Sequence, residues 1–184
     1  MRIVGGRFGG RPLRGPSSDR IRPTSDRLRE SLFNILEHGL GDPIPGARVI
    51  DLFAGTGALA LEALSRGAVF ALMVDEGAEA RALIRANVEA LGAGGETRVF
   101  RRDARKLGDA PAGEPFAVAF LDPPYGKGLA EPALASLHAG GWLASGAIAV
   151  VEEAASSGFE PPEGFALAER RDFGDTAIFF LSHI

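Results

Sequence analysis

At 184 residues, with no cysteine and a net charge of −4, the chain is long enough for one domain that buries a core without disulfides or structural metals, and it has no thiolate for catalysis. Its three histidines, His38, His138 and His183, lie too far apart in sequence to match a metal-ligand spacing, so no metal is expected. No run approaches the roughly 20 apolar residues that cross a bilayer and no signal-peptide core follows Met1-Arg2-Ile3, so a cytoplasmic protein without a membrane segment is expected.

The first thirty residues hold eight arginines against Asp19, Asp26 and Glu30, a balance of +5 that leaves −9 for the rest. A basic arm on an acidic body is the footprint of a protein that holds a polyanion at one end. Within it, short β-type pieces flank Gly5-Gly6-Arg7-Phe8-Gly9-Gly10, predicting a hairpin or flexible loop that carries Arg7, Arg11 and Arg14. Pro16 to Pro23, with Arg20 and Arg22, reads as a linker. Thr24 is placed to cap a helix running to about Glu37, with Leu28, Leu32, Ile35 and Leu36 on one face. Asp26, Glu30, Phe33 and Asn34 fall opposite, as a solvated face or a second contact surface.

From Ala47 the pattern alternates. Strands are predicted over Arg48 to Phe53, Phe70 to Val74, Thr97 to Arg101, Phe116 to Leu121 and Ala147 to Val151, and helices near Ala58 to Arg66, Ala78 to Leu91 and Leu129 to Ala139. Alternation of this kind predicts a parallel sheet with helices on both faces. The end differs: Ala166 to Phe173 and Thr176 to Ser182, separated by Gly174-Asp175, predict an antiparallel hairpin.

The first strand leads into Asp51-Leu52-Phe53-Ala54-Gly55-Thr56-Gly57-Ala58, a glycine-rich turn opening a helix. Gly55 and Gly57 allow backbone to approach a ligand and expose helix N-terminal amides. Asp75, at the end of the second strand with Glu76 beside it, is placed to accept from ribose hydroxyls. These features indicate a nucleoside cofactor. The spacing Gly55-x-Gly57-x-x-Ala60 also satisfies the dinucleotide fingerprint, which keeps an NAD-dependent oxidoreductase as a competitor. S-adenosylmethionine is favoured because Asp51 would repel a pyrophosphate and welcome an ammonium group. Asp103, followed by Ala104, can accept from an adenine amine, or else cap a short helix from Ala104 to Leu107.

The fourth strand ends in Asp122-Pro123-Pro124-Tyr125. The double proline removes two backbone donors and fixes the chain direction, displaying the Asp122 carboxylate, the Pro123 carbonyl and the Tyr125 ring where open α/β sheets bind ligands. A purine amine is a poor nucleophile because its lone pair is delocalised; acceptors on both N–H bonds push the nitrogen toward tetrahedral. Asp122 and the Pro123 carbonyl suit that role, with Tyr125 stacking on the base. A base inside a helix cannot reach such a pocket, so the target is unpaired or flipped out. Gly126-Lys127-Gly128 follows as a loop whose lysine can meet a phosphate.

The glycine loop and the Asp-Pro-Pro-Tyr turn, in that order, resemble the Rossmann-like S-adenosylmethionine-dependent amino-methyltransferases. Arg22-Pro23-Thr24-Ser25-Asp26-Arg27-Leu28-Arg29-Glu30-Ser31-Leu32-Phe33-Asn34, with Arg2-Ile3-Val4-Gly5-Gly6 and Leu61 to Ala68, is similar to the bacterial 16S rRNA guanine(966)-N2 methyltransferases over nearly the whole chain. The resemblance implies a Rossmann-like, seven-stranded, mostly parallel sheet whose last strand is antiparallel. Residues 1–45 would form a basic hairpin-and-helix extension facing rRNA, and residues 46–184 the S-adenosylmethionine-dependent domain. It further implies that Asp51, Phe53, Ala54, Gly55, Gly57, Asp75 or Glu76, Asp103 and Ala104 hold the cofactor, and that Asp122, Pro123, Pro124 and Tyr125 hold the guanine amine. Arg7, Arg11, Arg14, Arg20, Arg22 and Lys127 would contact RNA of assembling small-subunit particles, and the enzyme would act as a monomer. In such motifs the ribose carboxylate is often Glu, whereas here Asp75 precedes Glu76; and a helix between the fifth strand and the final hairpin is weak in Glu152 to Gly164, which carries two prolines.

Overall fold

A computed structural model describes residues 1–17 and 24–184. Strands β1 (Arg48–Leu52), β2 (Phe70–Val74), β3 (Thr97–Phe100), β4 (Phe116–Leu121), β5 (Leu143–Ala154), β6 (Phe165–Phe173) and β7 (Thr176–His183) form one sheet in the order β3-β2-β1-β4-β5-β7-β6. β1 to β5 pair in parallel, and β7 is antiparallel to both neighbours. The chain runs outward from β1 to β3 and then crosses to β4, which lies against the other side of β1. That reversal opens a crevice at the carboxyl ends of β1 and β4, where ligands of open α/β sheets bind.

Strand side chains alternate between two apolar layers. Val49, Val118 and Phe120 face one way with helices α1 (Asp26–Gly39), α2 (Ala58–Ser65) and α3 (Ala78–Leu91). Ile50, Leu52, Ala119 and Leu121 face α4 (Ala130–Ala139) and Trp142 on the other side. Sheets covered on both faces have strands that read as continuous apolar runs, as β4 does. β5 is longer than the predicted Ala147 to Val151 because it begins before a register shift against β4, between the Phe116–Leu143 and Val118–Ile148 pairs. The segment after β5 is without helix, as its prolines indicate.

Helix α1 starts one residue later than predicted. Ser25, not Thr24, is the cap, its hydroxyl accepting from the Leu28 N–H at 3.1 Å. Phe33 is buried, so the second face of α1 is a contact surface: its ring meets Phe120 of β4 at a centroid distance of 5.6 Å.

All eight residues of α2 are buried. The sheet covers one side and the N-terminal arm the other, which places Ile3, Phe8 and Leu13 in the same apolar layer as β1 and β4. The arm is a loop closed by one antiparallel bridge, Arg2 to Pro12. Four of its backbone N–H groups go to α2: Val4 and Gly5 N–H donate to the Glu62 carboxylate at 2.9 Å each, Arg7 N–H to the Ser65 carbonyl at 2.9 Å, and Phe8 N–H to the Ser65 hydroxyl at 2.9 Å. Gly6 makes this approach possible, since it has φ +77° and a Cβ there would lie 1.9 Å from the Ser65 carbonyl oxygen. Glu62 also accepts from Arg29 Nε at 3.1 Å and Arg66 Nε at 2.9 Å.

Candidate active site

A cavity of about 620 Å³ opens over the carboxyl ends of β1 and β4. The turn after β1 forms its floor, with Phe53 at φ 59° and Gly55 at φ 63°. A phenylalanine in the left-handed region costs energy, and such residues cluster at ligand sites. Phe53, Ala54 and Gly55 line the cavity, but Gly57 does not. Gly57 instead lets α2 approach β2: at φ +82°, a Cβ would lie 3.1 Å from Met73 Sδ.

Four of the predicted carboxylates sit around this floor in different states. Asp51 is buried; its Oδ2 accepts from the Ala60 N–H at 3.2 Å, while Oδ1 has no hydrogen-bond partner among the described residues. Burial pushes its pKa up to about 8, against the lowering effect of the Ala60 bond and with a smaller upward push from the Asp75 charge. Asp75 accepts from the Gly55 N–H at 2.9 Å and the Gly77 N–H at 2.8 Å, which ties the glycine loop to the end of β2. Glu76 is exposed and lies on a smaller adjoining cleft of about 110 Å³, together with Asp103 and Ala104. Phe53 and Asp75 border both spaces. Asp103 accepts from the Arg105 side chain at 2.8 and 3.0 Å and from its N–H at 2.9 Å, and these bonds hold its carboxyl below the ordinary range. The predicted helix from Ala104 to Leu107 is only a turn, closed by Lys106 N–H to the Asp103 carbonyl at 2.9 Å.

The Asp-Pro-Pro-Tyr turn forms the facing wall. Asp122 and Tyr125 are half-buried, Pro123 is buried, and Pro124 and Lys127 are exposed; all five line the cavity. Asp122 Oδ2 accepts from the Thr24 hydroxyl at 2.9 Å. The Tyr125 hydroxyl donates to Glu152 Oε2 at 2.9 Å and shares a 2.7 Å hydrogen bond with Thr176. Gly126 N–H donates to Glu153 at 3.2 Å. Thr24, Glu152, Glu153 and Thr176 were missed by sequence reasoning. A signal existed for the two glutamates: a pair of acids continuing the apolar run of β5 has to find partners.

The arginines lie elsewhere. Arg7 is exposed, pairs with Glu96 and sits over the Phe8 ring at 4.4 Å. Arg11 donates to the Ala90 carbonyl at 2.7 Å, and the exposed Arg14 is held by its backbone to Asn87. None of the three lines the large cavity. Asn87 also donates to the Thr56 carbonyl at 2.9 Å, so the arm is bonded to the glycine loop. Arg20 and Arg22 lie outside the described residues. Among the described residues no group of three or more His, Asp or Glu side chains could hold a metal ion, and no helix is long and apolar enough to cross a membrane.

The model of the family described as Conserved hypothetical protein 95 matches residues 1–182. Ribosomal RNA small subunit methyltransferase D of Escherichia coli K12 is 39% identical over 179 residues, covering 96% of this chain and 87% of that protein. Its Haemophilus influenzae namesake is 32% identical over 176 residues, covering 95% and 89%. Among solved structures, Escherichia coli yhhF, assigned to the methyltransferases, superposes with a TM-score of 0.84 at 34% identity over 100% of this chain and 97% of that one.

Proposed function

The chain belongs to the Conserved hypothetical protein 95 family alongside the ribosomal RNA small subunit methyltransferases D, and from that premise we propose that it moves a methyl group from S-adenosylmethionine to the N2 amine of a guanine in 16S rRNA, guanine 966 being the favoured position. The observation that carries this reading is that Asp122 and the glycine loop face one cavity. An amine acceptor and a cofactor cradle are thereby opposed.

The residues fit the cofactor. Asp51 Oδ1 is buried and lacks a partner among the described residues, as an atom reserved for an ammonium group would be, and a cation there favours the ionised carboxylate. Asp75 stands at the junction of the two spaces for the ribose, and Asp103 and Ala104 border the smaller cleft for an adenine. Bound there, the cofactor supplies an electrophilic sulfonium methyl. Asp122 and the Pro123 carbonyl each accept one N–H of the amine, which frees the nitrogen lone pair and aims it. Most of the rate gain is orientation, for which in-line placement supplies on the order of 7 kcal/mol or more at best. Tyr125 carries the base on its ring face, and Asp122 or water takes the proton after transfer. Residues 1–45 act as the RNA-facing extension of the catalytic body 46–184, with Arg7, Arg11, Arg14 and Lys127 meeting phosphates.

Mapping methylated nucleotides in rRNA from a strain lacking the gene, with and without the gene restored, tests this. A single guanine N2 methyl group that vanishes and returns is expected. An adenine amine or another RNA as the responding target would overturn the guanine assignment, and no responding nucleotide would overturn the reading.

A further inference from the structure

Thr24 precedes the Ser25 cap of α1 and is 5% exposed, so its side chain is not spent on capping the helix. Its hydroxyl reaches Asp122 Oδ2 at 2.9 Å and Glu152 Oε1 at 3.3 Å. With one proton to give, the shorter distance favours Asp122. Glu152, 3% exposed, follows Val151, which pairs with Leu121 in parallel register. The carboxylates of Asp122 and Glu152 therefore flank one hydroxyl from neighbouring strand ends. Through its other oxygen Glu152 accepts from Tyr125, whose hydroxyl also meets Thr176. The Thr24 hydroxyl thus holds Asp122 and lies beside Glu152, which in turn accepts from Tyr125.

On the amine reading above, these are the two side chains that must be fixed against the base. A carboxylate on a turn can rotate, and an acceptor turned away from the N–H loses its directional bond. Thr24 is suited to prevent this, since a β-branched side chain has few χ1 choices. The helix that follows it is independently fastened to β4, which leads into Asp122, through the Phe33–Phe120 contact. We propose that Thr24 is a positioning residue for methyl transfer: its hydroxyl sets the angle of the Asp122 carboxylate, while Glu152, packed beside it, holds the Tyr125 hydroxyl.

The test is steady-state methylation of small-subunit particles from a strain lacking the enzyme, using radiolabelled S-adenosylmethionine, for wild type, Thr24→Val, Thr24→Ser and Glu152→Ala. Thr24→Val keeps the shape and loses the hydroxyl, so kcat should fall about 10- to 100-fold. The KM for particles and the cofactor Kd should stay within about two-fold, because an interaction realised at the transition state has been removed. Thr24→Ser, which restores the hydroxyl, should return kcat to within about three-fold of wild type. Glu152→Ala, which removes the acceptor for Tyr125, should also lower kcat, and the double variant should fall less than the product of the single losses, as expected of side chains in contact. An unchanged kcat in Thr24→Val, or a loss in Thr24→Ser as deep as in Thr24→Val, would overturn the proposal. Should Thr24→Val fail to fold, a folded Glu152→Ala with wild-type kcat would overturn it as well. Wild-type protein that transfers no methyl group would instead sink the functional reading beneath it, so the two failures are distinguishable.

Discussion

Two aspartates of the candidate site occupy opposite electrostatic situations, and each yields a prediction. Asp122 is half-buried and accepts from Thr24. Asp122→Ala should lower kcat at least about 100-fold, on the scale of lost orientation, while S-adenosylmethionine affinity by calorimetry is retained; full activity on small-subunit particles would remove Asp122 from the mechanism. Asp51 is raised from an ordinary 3.8 to about 8 chiefly by burial. Between those values the native protein holds a proton that the unfolded chain has released. Stability of the ligand-free protein therefore decreases as pH rises through that window, and above it Asp51 no longer contributes a slope. Urea titrations at several pH values should show Asp51→Asn removing a slope of at most about 1.4 kcal/mol per pH unit. The same proton should be expelled when an ammonium group arrives. Calorimetry in buffers of different ionisation enthalpy should find proton release on cofactor binding near pH 7 in wild type and none in Asp51→Asn. The local motifs mark both aspartates, but the burial of Asp51 and the lack of a partner for its Oδ1 among the described residues arise from distant chain segments.

The elements were legible where their patterning is local. β2, β4 and α3 have the predicted limits, since each is an apolar run or a 3.6-residue stripe bounded by glycine, proline or charge. Polar groups whose partners lie far along the chain were not legible. Arg29 belongs to an arginine-rich stretch that reads as phosphate-binding, yet its guanidinium is fully buried against Glu62 and Thr24. Glu62 and Ser65 look like exposed positions of a short helix until the arm covers them. A carboxylate that accepts four donors from three segments fixes those segments to one another. Glu62→Ala leaves the buried Arg29 only the partly exposed Asp26 as a counter-ion, and removal of one partner of a buried pair costs up to about 3–5 kcal/mol. A fall of that size in urea-unfolding stability is expected, and a change below about 1 kcal/mol would mean the network is dispensable.

At the scale of the molecule, the charge asymmetry seen in the sequence becomes a geometry. Arg7, Arg11 and Arg14 meet α3 or the turn after it and do not line the cavity, so RNA held there would have to extend past the glycine loop to reach Asp122. Replacing Arg7, Arg11 and Arg14 with glutamine should reduce the magnitude of the slope of log K against log salt by about two for single-stranded RNA; an unchanged slope would take the arm out of the RNA contact. Sheet order has a consequence in time. β7 sits between β5 and β6 although it is made after both, and it supplies Thr176, which meets the Tyr125 hydroxyl. On the ribosome, β5 has no partner on that side until the final strand emerges, and closing such non-local pairings is slow. A nascent chain can complete its glycine loop and its Asp-Pro-Pro-Tyr turn early, but the anchor of Tyr125 comes only with the last strand. The wall that carries Tyr125 is therefore complete only once β7 has joined β5 to β6.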